Sequence, residues 1–422
     1  MKKWHKGWLI LGLIVLSVLS CLGFGRFSFG AILPFMKEGL SLDYRDTGLI
    51  ASSIFFGYLI AVTIVGFFVI RFTAKAVIVV SLTIIALAMV ITAQAQGFWM
   101  AYLGCFLIGI GTGGAYVPSL GLIGQWFTQK KRGMAMGIAM AGSGIGIVFS
   151  GLIVPVLVTE NGVDGWRISW YVLATLIIGI AMLNFFLLRN RPEDASLQPI
   201  GPKETARKQN DTKSNQIETT TVYRNKTLWL IGLIYLFWGF SYLSFSTFLV
   251  DYLISDRSFT DNRAGTFFAI GGLASIISGF IWGAVSDRIG RMASLSIVLF
   301  IQFLVLLGLS FTTSPFVILS LIISYGITLW GVPTVMNASV GDYIAPSYVP
   351  VAMGFITLFF SIGQLISPVI TGYLIEFSQS YFSAFLLATL ISFIASISAY
   401  KLHRNEVNQA TIELETKSVS MK

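Results

Sequence analysis

The chain has 422 residues, 55% of them hydrophobic and only 11% charged, with a mean hydropathy of +0.80. A water-soluble fold of that length needs far more polar surface to cover its core, and the apolar residues here run in long blocks that suit a lipid solvent. The net charge of +9 does not point to nucleic acid, because the basic residues sit between apolar blocks and form no dense patch.

The N-terminus places Lys2, Lys3 and Lys6 ahead of an apolar run that continues to about Met36. No small-residue cleavage site interrupts it, so a retained first span is expected in place of a signal peptide. At roughly 20 apolar residues per crossing, twelve spans are predicted in chain order: 8–36, 45–70, 76–95, 98–126, 133–158, 166–188, 228–250, 262–285, 292–312, 315–341, 350–375 and 380–400. Basic residues favour the cytoplasmic side of a membrane. With both termini inside, 22 of the 28 Lys and Arg fall on that side, and five fall outside: Lys37, Arg45, Arg167, Arg257 and Arg263. That partition supports an even span count in the cell membrane. It leaves Arg26 over, inside span 1.

The spans group into an N-terminal six-helix half (1–188) and a C-terminal one (228–402). Segment 189–227 is polar, charged and poor in large apolar residues, so a flexible cytoplasmic linker is expected; the tail 403–422 reads similarly. Cys21 and Cys105 both lie in apolar blocks, with neither a disulfide framework nor metal-ligand spacing, and no cofactor is expected.

Self-comparison finds an internal repeat at an offset of 217 residues. Gly66 with Arg71 matches Gly283 with Arg288, Ala135-Met136-Gly137 matches Ala352-Met353-Gly354, and Gly146 matches Gly363. Pro118-Ser119 of span 4 has a near-partner in Pro333-Thr334 of span 10, slipped by two residues. Single matches of small residues are common in apolar sequence, but a shared offset indicates a duplicated six-span unit with parallel repeats. The expected fold is therefore an all-α membrane protein of twelve transmembrane helices in two pseudo-symmetric halves.

The run Gly283-Ala-Val-Ser-Asp287-Arg288-Ile-Gly290-Arg291 resembles the cytoplasmic loop signature of the major facilitator superfamily, which joins the second and third helices of a half. Glycines there permit a tight turn, Asp287 can approach the positive N-terminus of a facing helix, and Arg288 and Arg291 stay at the cytoplasmic interface. The first-half copy, Gly66-Phe-Phe-Val-Ile70-Arg71-Phe-Thr-Ala-Lys75, departs from the pattern with Ile70 where the family has Asp. From Trp126-Phe127 through Lys130-Lys131-Arg132 to Gly133-Met-Ala135-Met-Gly137-Ile-Ala139-Met-Ala141-Gly142-Ser143-Gly144-Ile-Gly146, the chain is similar to the monocarboxylate and oxalate/formate branch. In the residues themselves, Gly137, Ala141, Gly142 and Gly146 give small faces for close helix packing. Unlike that branch's organic-anion members, spans 8 and 11 contain no buried Arg, Lys or Asp. The resemblance implies the major facilitator fold, a substrate site between the halves near the midplane, and transport by rocking of one half against the other.

In lipid an ionisable side chain is costly, and Arg26 is the one that the topology leaves inside a span. It sits roughly 6 Å outward of the centre of span 1. A snorkelling side chain could bridge that distance, but the flanking Gly23, Gly25, Ser28 and Gly30 favour a guanidinium facing a cavity. Every acidic residue falls in a loop, a tail or a helix end, with Asp46, Asp251, Asp342 and Glu376 nearest to spans. A cavity Arg26 thus implies an anionic ligand, ordered water, or a partner such as Asp251.

Spans 1, 4, 7 and 10 line the cavity in the superfamily. Carried over by position, the candidate substrate-binding residues are Tyr116, Tyr235, Trp238, Tyr242, Tyr325, Trp330 and Asn337, with Gln364 of span 11 as a further polar candidate. Aromatic walls with a few polar handles suit an acid with an apolar body; the alternative for each is packing alone. His5 and His403 lie outside the spans, and no phosphate loop or carboxylate pair suggests an enzyme. The expectation is a secondary transporter for a small, monocarboxylate-like organic anion, working as a monomer. Protons are the candidate coupling ion, and uniport or exchange is equally open. The alternative is a multidrug or other small-molecule exporter of the same fold.

Overall fold

The computed structural model describes residues 5–195, 197–202, 220–345 and 348–420, and these form helices joined by short turns. Twelve spans emerge among the described residues. Spans 1 to 4 are Lys6–Gly39, Tyr44–Arg71, Ala74–Ala93 and Phe98–Trp126. Spans 5 and 6, Gln129–Asn161 and Gly165–Leu187, are parted only by the 3-10 turn Gly162–Asp164. Span 7 is Lys226–Asp251, continued by a π turn Tyr252–Asp256. Span 8 is broken into Asp261–Ser275 and Ser278–Ile289, and span 9 is Arg291–Phe311. Span 10 comprises Pro315–Leu329 and Gly331–Tyr343; spans 11 and 12 are Val349–Ser378 and Tyr381–Ser420.

Local chemistry sets the starts and breaks. Asp43 caps span 2 by accepting from the Asp46 amide at 2.7 Å. Gly290, at φ +95°, both ends span 8 and opens span 9, a backbone region that disfavours other residues. Pro333 cannot donate to the Leu329 carbonyl, and span 10 resets at Trp330. The amides exposed there are taken up by Ser278 Oγ, which accepts from Trp330 N at 3.0 Å and Gly331 N at 3.1 Å. Pro118 leaves span 4 unbroken.

Contacts gather the chain into two compact units. One holds spans 1 to 6 together with Leu243–Ile276 and Leu365–Ala384; the other holds span 7 up to Tyr242, Ile277–Gln364 and span 12 from Phe385. In the first, span 5 lies directly on span 1: a Cβ on Gly146 would fall 2.3 Å from Gly23 Cα, and one on Gly142 would fall 2.4 Å from the Val15 carbonyl oxygen. In the second, span 11 lies on span 7: a Cβ on Gly363 would fall 2.2 Å from the Leu236 carbonyl oxygen and 3.1 Å from Phe240 N. Gly23–Gly146 and Phe240–Gly363 are the same contact displaced by the 217-residue repeat. Side chains such as Phe280, Phe316 and Phe377 stand mostly exposed, as lipid-facing surface requires. Ile70 is 89% exposed, so an apolar side chain stands bare where the second-half loop carries Asp287.

Four expectations are corrected. Gly137 has open space where a Cβ would be, so the close packing belongs to Gly142 and Gly146. Span 1 persists to Gly39, which puts Lys37 in its last turn and not in an outer loop. Part of the linker is ordered: Ile200 N donates to the Trp126 carbonyl at 2.9 Å, Thr128 N donates to the Ile200 carbonyl at 3.0 Å, and Trp126 Nε1 donates to the Arg189 carbonyl at 3.1 Å. A single apolar Ile200, seated against Gly7 and the turn after span 4, supplies the anchor that composition averaged away. Segment 203–219 lies outside the described residues. Finally, 403–420 continues span 12 as helix, since it contains neither Gly nor Pro and is rich in helix-favouring residues.

Two glycine substitutions separate packing from open surface. Gly146→Leu should destabilise the detergent-solubilised protein by about 1–3 kcal/mol or more through overpacking against Gly23. Gly137→Ala should be neutral or stabilising by about 0.5–1 kcal/mol. Thermal unfolding of both variants, side by side, checks the contrast.

Candidate functional site

Arg26 is held in a π-helical stretch of span 1, Leu19–Phe27. Two glycines account for the local departure. Gly23 backs directly onto Gly146, and Gly25 onto Thr112, whose hydroxyl lies 3.2 Å from the Cys21 carbonyl oxygen and 2.8 Å from that of Ile108. Wider coiling inside an α-helix is uncommon and recurs at functional positions.

Arg26 is 9% exposed, and its guanidinium lies over two rings of span 2, Phe55 at 4.4 Å and Tyr58 at 5.0 Å. Its Nε and Nη2 meet no hydrogen-bond partner among the described residues. Cation–π contacts contribute about 0.5–2 kcal/mol each, whereas taking a charge out of water costs several kcal/mol. The two rings therefore do not offset the burial. Arg26 lines a narrow crevice with Phe29, Gly30, Ala51, Phe55, Ser246 and Thr247, whose open core is about 10 Å³, the room of a single water. The crevice exists because span 1 meets the end of span 7 backbone to backbone: a Cβ on Gly30 would fall 2.6 Å from the Ser246 carbonyl oxygen. Tyr116 is half-buried, within electrostatic range of Tyr58 and Arg26, and its hydroxyl lies 3.5 Å from Met140 Sδ.

Asp251, the carboxylate proposed from sequence as a partner of Arg26, is engaged elsewhere. Lys37 Nζ binds it at 3.1 Å and Tyr381 Oη donates to it. The pairing was hidden in the sequence because Lys37 reads as a loop charge if span 1 ends at Met36. Phe55 and Tyr58 were also missed; the signal for them was their spacing of three on span 2, common among aromatics in apolar helices.

In the second unit, Tyr235, Trp238 and Tyr242 share one face of span 7 through spacings of three and four. Their rings stack in series, at 5.7 Å for Tyr235–Trp238 and 4.8 Å for Trp238–Tyr242, and Phe360 of span 11 lies against all three. One turn on from Phe360, Gln364 Nε2 donates to Tyr242 Oη at 3.3 Å. Trp238 Nε1 and Gln364 Oε1 are buried and meet no hydrogen-bond partner among the described residues. Tyr325 is buried within electrostatic range of Tyr242. Trp330 marks the break in span 10 and is half-buried. Asn337 is exposed and roughly 18 Å along the span from Tyr325, so the structure does not bring it to the cluster.

The loop signature is formed as a unit. Arg291 Nη2 pairs with Asp287 Oδ1 at 2.6 Å, and its Nη1 donates to Ser286 Oγ at 2.6 Å. Asp287, in the last turn of span 8, thus reaches across the Gly290 turn to Arg291, the first residue of span 9, and Gly283 packs near Thr334. In the first unit Arg132 does a related job, donating to the Gly124 and Phe127 carbonyls at the end of span 4.

The family model described as Major Facilitator Superfamily matches residues 15–335. A probable sulfoacetate transporter, SauU, from Cupriavidus necator is 25% identical over 387 residues, covering 86% of each chain. A hexuronate transporter of Bacillus subtilis is 24% identical over 411 residues, covering 94% of each. A phosphoglycerate transporter protein of Salmonella typhimurium is 23% identical over 65% of this chain and 62% of its own. Among solved structures, an inward-facing, occupied bacterial homolog of the human lysosomal transporter Spinster superposes with a TM-score of 0.76 at 15% identity, covering 96% of this chain and 98% of its own. The nucleoside transporter NupG superposes with a TM-score of 0.73 at 16% identity, covering 94% and 99%. The chain belongs to the major facilitator superfamily and is a multi-span membrane transporter.

Proposed function

We propose that the chain carries a small organic anion across the cell membrane by alternating access, with Arg26 as the counter-charge for the anion's acid group. One observation carries the reading: the buried Nε and Nη2 of Arg26 meet no hydrogen-bond partner among the described residues. These lie side by side on one edge of the guanidinium, the edge that binds a carboxylate, sulfonate or phosphate bidentately. A buried cation with that pair unpartnered is suited to an oxyanion and disfavours lipophilic cations, which weighs against the multidrug-exporter alternative. The named substrates of the three relatives, sulfoacetate, hexuronate and phosphoglycerate, all carry an acid group on a small carbon skeleton, which supports an anionic class wider than monocarboxylates. Both termini lie in the cytoplasm in this reading, as the basic residues indicate.

Within the second unit, Trp238 and Gln364 hold a neutral buried donor and acceptor, which suit a hydroxyl or carbonyl of a bound molecule. The loop Asp287-Arg288-Ile289-Gly290-Arg291 serves the conformational change and does not touch substrate.

Uptake of labelled sulfoacetate, glucuronate and phosphoglycerate into proteoliposomes tests the proposal. Arg26→Ala should lower uptake of the carried acid by roughly 100-fold or more, and Arg26→Lys should restore only part of it, because an ammonium lacks the side-on donor pair. Unchanged uptake of every acid by Arg26→Ala, at equal reconstitution, sinks the assignment. Trp238→Phe keeps the ring stack and removes one buried N–H. It should raise KM roughly 5- to 10-fold with little change in thermal stability, and an unchanged KM leaves Trp238 a packing residue of the second unit.

A further inference from the structure

We propose that the crevice beside Arg26 is a binding site for a halide ion, chloride being the abundant one. The site shares Arg26 with the organic-anion reading above, but it stands on size, charge and hydrogen bonding alone.

Every residue that lines the crevice belongs to the first compact unit. Span 1 supplies Arg26 and Gly30, span 2 supplies Phe55, and span 7 supplies Leu243, Ser246 and Thr247. Two pairs among these are partners in the 217-residue repeat, Arg26 with Leu243 and Gly30 with Thr247. Equivalent turns of the two repeats therefore face each other across the crevice, with their chemistry unequal. One copy brings a cation, the other an apolar side chain and hydroxyls.

Arg26 is the one ionisable side chain among the lining residues, and no carboxylate accompanies it there. The rings of Phe55 and Tyr58 weaken the cost of burying its charge without cancelling it. Its buried Nε and Nη2 meet no hydrogen-bond partner among the described residues. On span 7, Ser244 shares its hydroxyl with Ser367 at 3.0 Å and Thr371 at 2.8 Å. Ser246 and Thr247 make no such bond among the described residues, although Thr247 is only 6% exposed. A cation and two hydroxyl donors thus share one small space between otherwise apolar walls.

Size and charge together select the occupant. The open core is about 10 Å³, the room of a single water. A carboxylate, sulfonate or phosphate brings three or more heavy atoms and exceeds that core. A water fits and accepts from the guanidinium, but it is neutral, so the buried charge stays uncompensated. A halide is close to a water in size and accepts hydrogen bonds from any direction. It also supplies the missing negative charge where the local medium screens little. Size therefore removes the polyatomic acids, and charge decides between the two particles that remain. Where Arg26 also takes the carried acid, chloride competes with it and raises its KM; that corollary alone rests on the reading above.

Thermal unfolding of the detergent-solubilised protein tests the site, with sodium chloride replacing sodium HEPES at constant ionic strength. The HEPES anion is too bulky for the crevice. In the parent, Tm should rise saturably with chloride. Arg26→Ala should abolish the rise. Thr247→Val, which removes one hydroxyl and keeps the shape, should raise the half-saturating concentration roughly 5- to 10-fold. Arg26→Lys should keep a chloride response, because a monatomic ion needs a charge and no planar fork. Should Arg26→Ala fail to fold, bromide-soaked crystals of the parent decide the matter through an anomalous-scattering peak at Arg26. A parent without a saturable rise, a rise kept in Arg26→Ala or untouched by Thr247→Val, or bromide absent from Arg26 overturns the proposal. Unfolding needs no transport, so the two assignments fail separately. No chloride response alongside uptake abolished by Arg26→Ala strikes only the halide site. An Arg26-dependent chloride response alongside unchanged uptake strikes only the organic-anion assignment.

Discussion

The contact of Gly23 with Gly146 is the constraint on which the Arg26 site depends. Only two bare backbones can come that close. With Gly25 against Thr112, it holds the middle of span 1 in the wider π-helical form, and that form carries Arg26. A side chain at either glycine would push span 5 away and leave the guanidinium without its fixed setting over Phe55 and Tyr58. Packing and chemistry are therefore not separable here: the same small residues that read as helix glue also orient the charge.

The repeat makes this point a second time. Phe240 and Gly363 reproduce the contact 217 residues on, yet Leu243 stands at the position equivalent to Arg26. Duplication preserved the geometry and not the charge. Around the second copy the chain instead builds an aromatic stack with a neutral donor on Trp238 and a neutral acceptor on Gln364. The loops diverged in the opposite sense, with the Asp287–Arg291 pair formed in the second half and Ile70 exposed in the first.

Much of this was legible in the residues. Twelve apolar runs separated by charged turns fix the fold class, and Arg26 stands out because a cation inside an apolar run is costly. What was not legible shares a cause, which is that composition cannot see across the chain. Lys37 looks like a topology signal until Asp251, 214 residues away, is placed beside it. Gly137 and Gly142 read alike, and only the neighbouring helix distinguishes open space from a backbone contact. Ile200 is one apolar residue in a polar linker, too small a signal to predict that it docks beside Trp126.

The two buried charge centres of the first unit are resolved in opposite ways. Asp251 and Lys37 each have a counter-charge and further polar or aromatic contacts, so their burial is compensated within the chain. Among the described residues Arg26 meets only ring faces, and its buried Nε and Nη2 have no hydrogen-bond partner. Stability alone selects against such an arrangement, because an apolar residue at that position packs without the desolvation cost, as Leu243 does in the repeat. The retained cost is intelligible if the missing partner arrives from solution, and a transporter is the kind of protein whose partner must also leave. An internal carboxylate on Arg26 would hold the site shut to anions. Asp251, paired with Lys37 eleven residues further along span 1, is not that carboxylate.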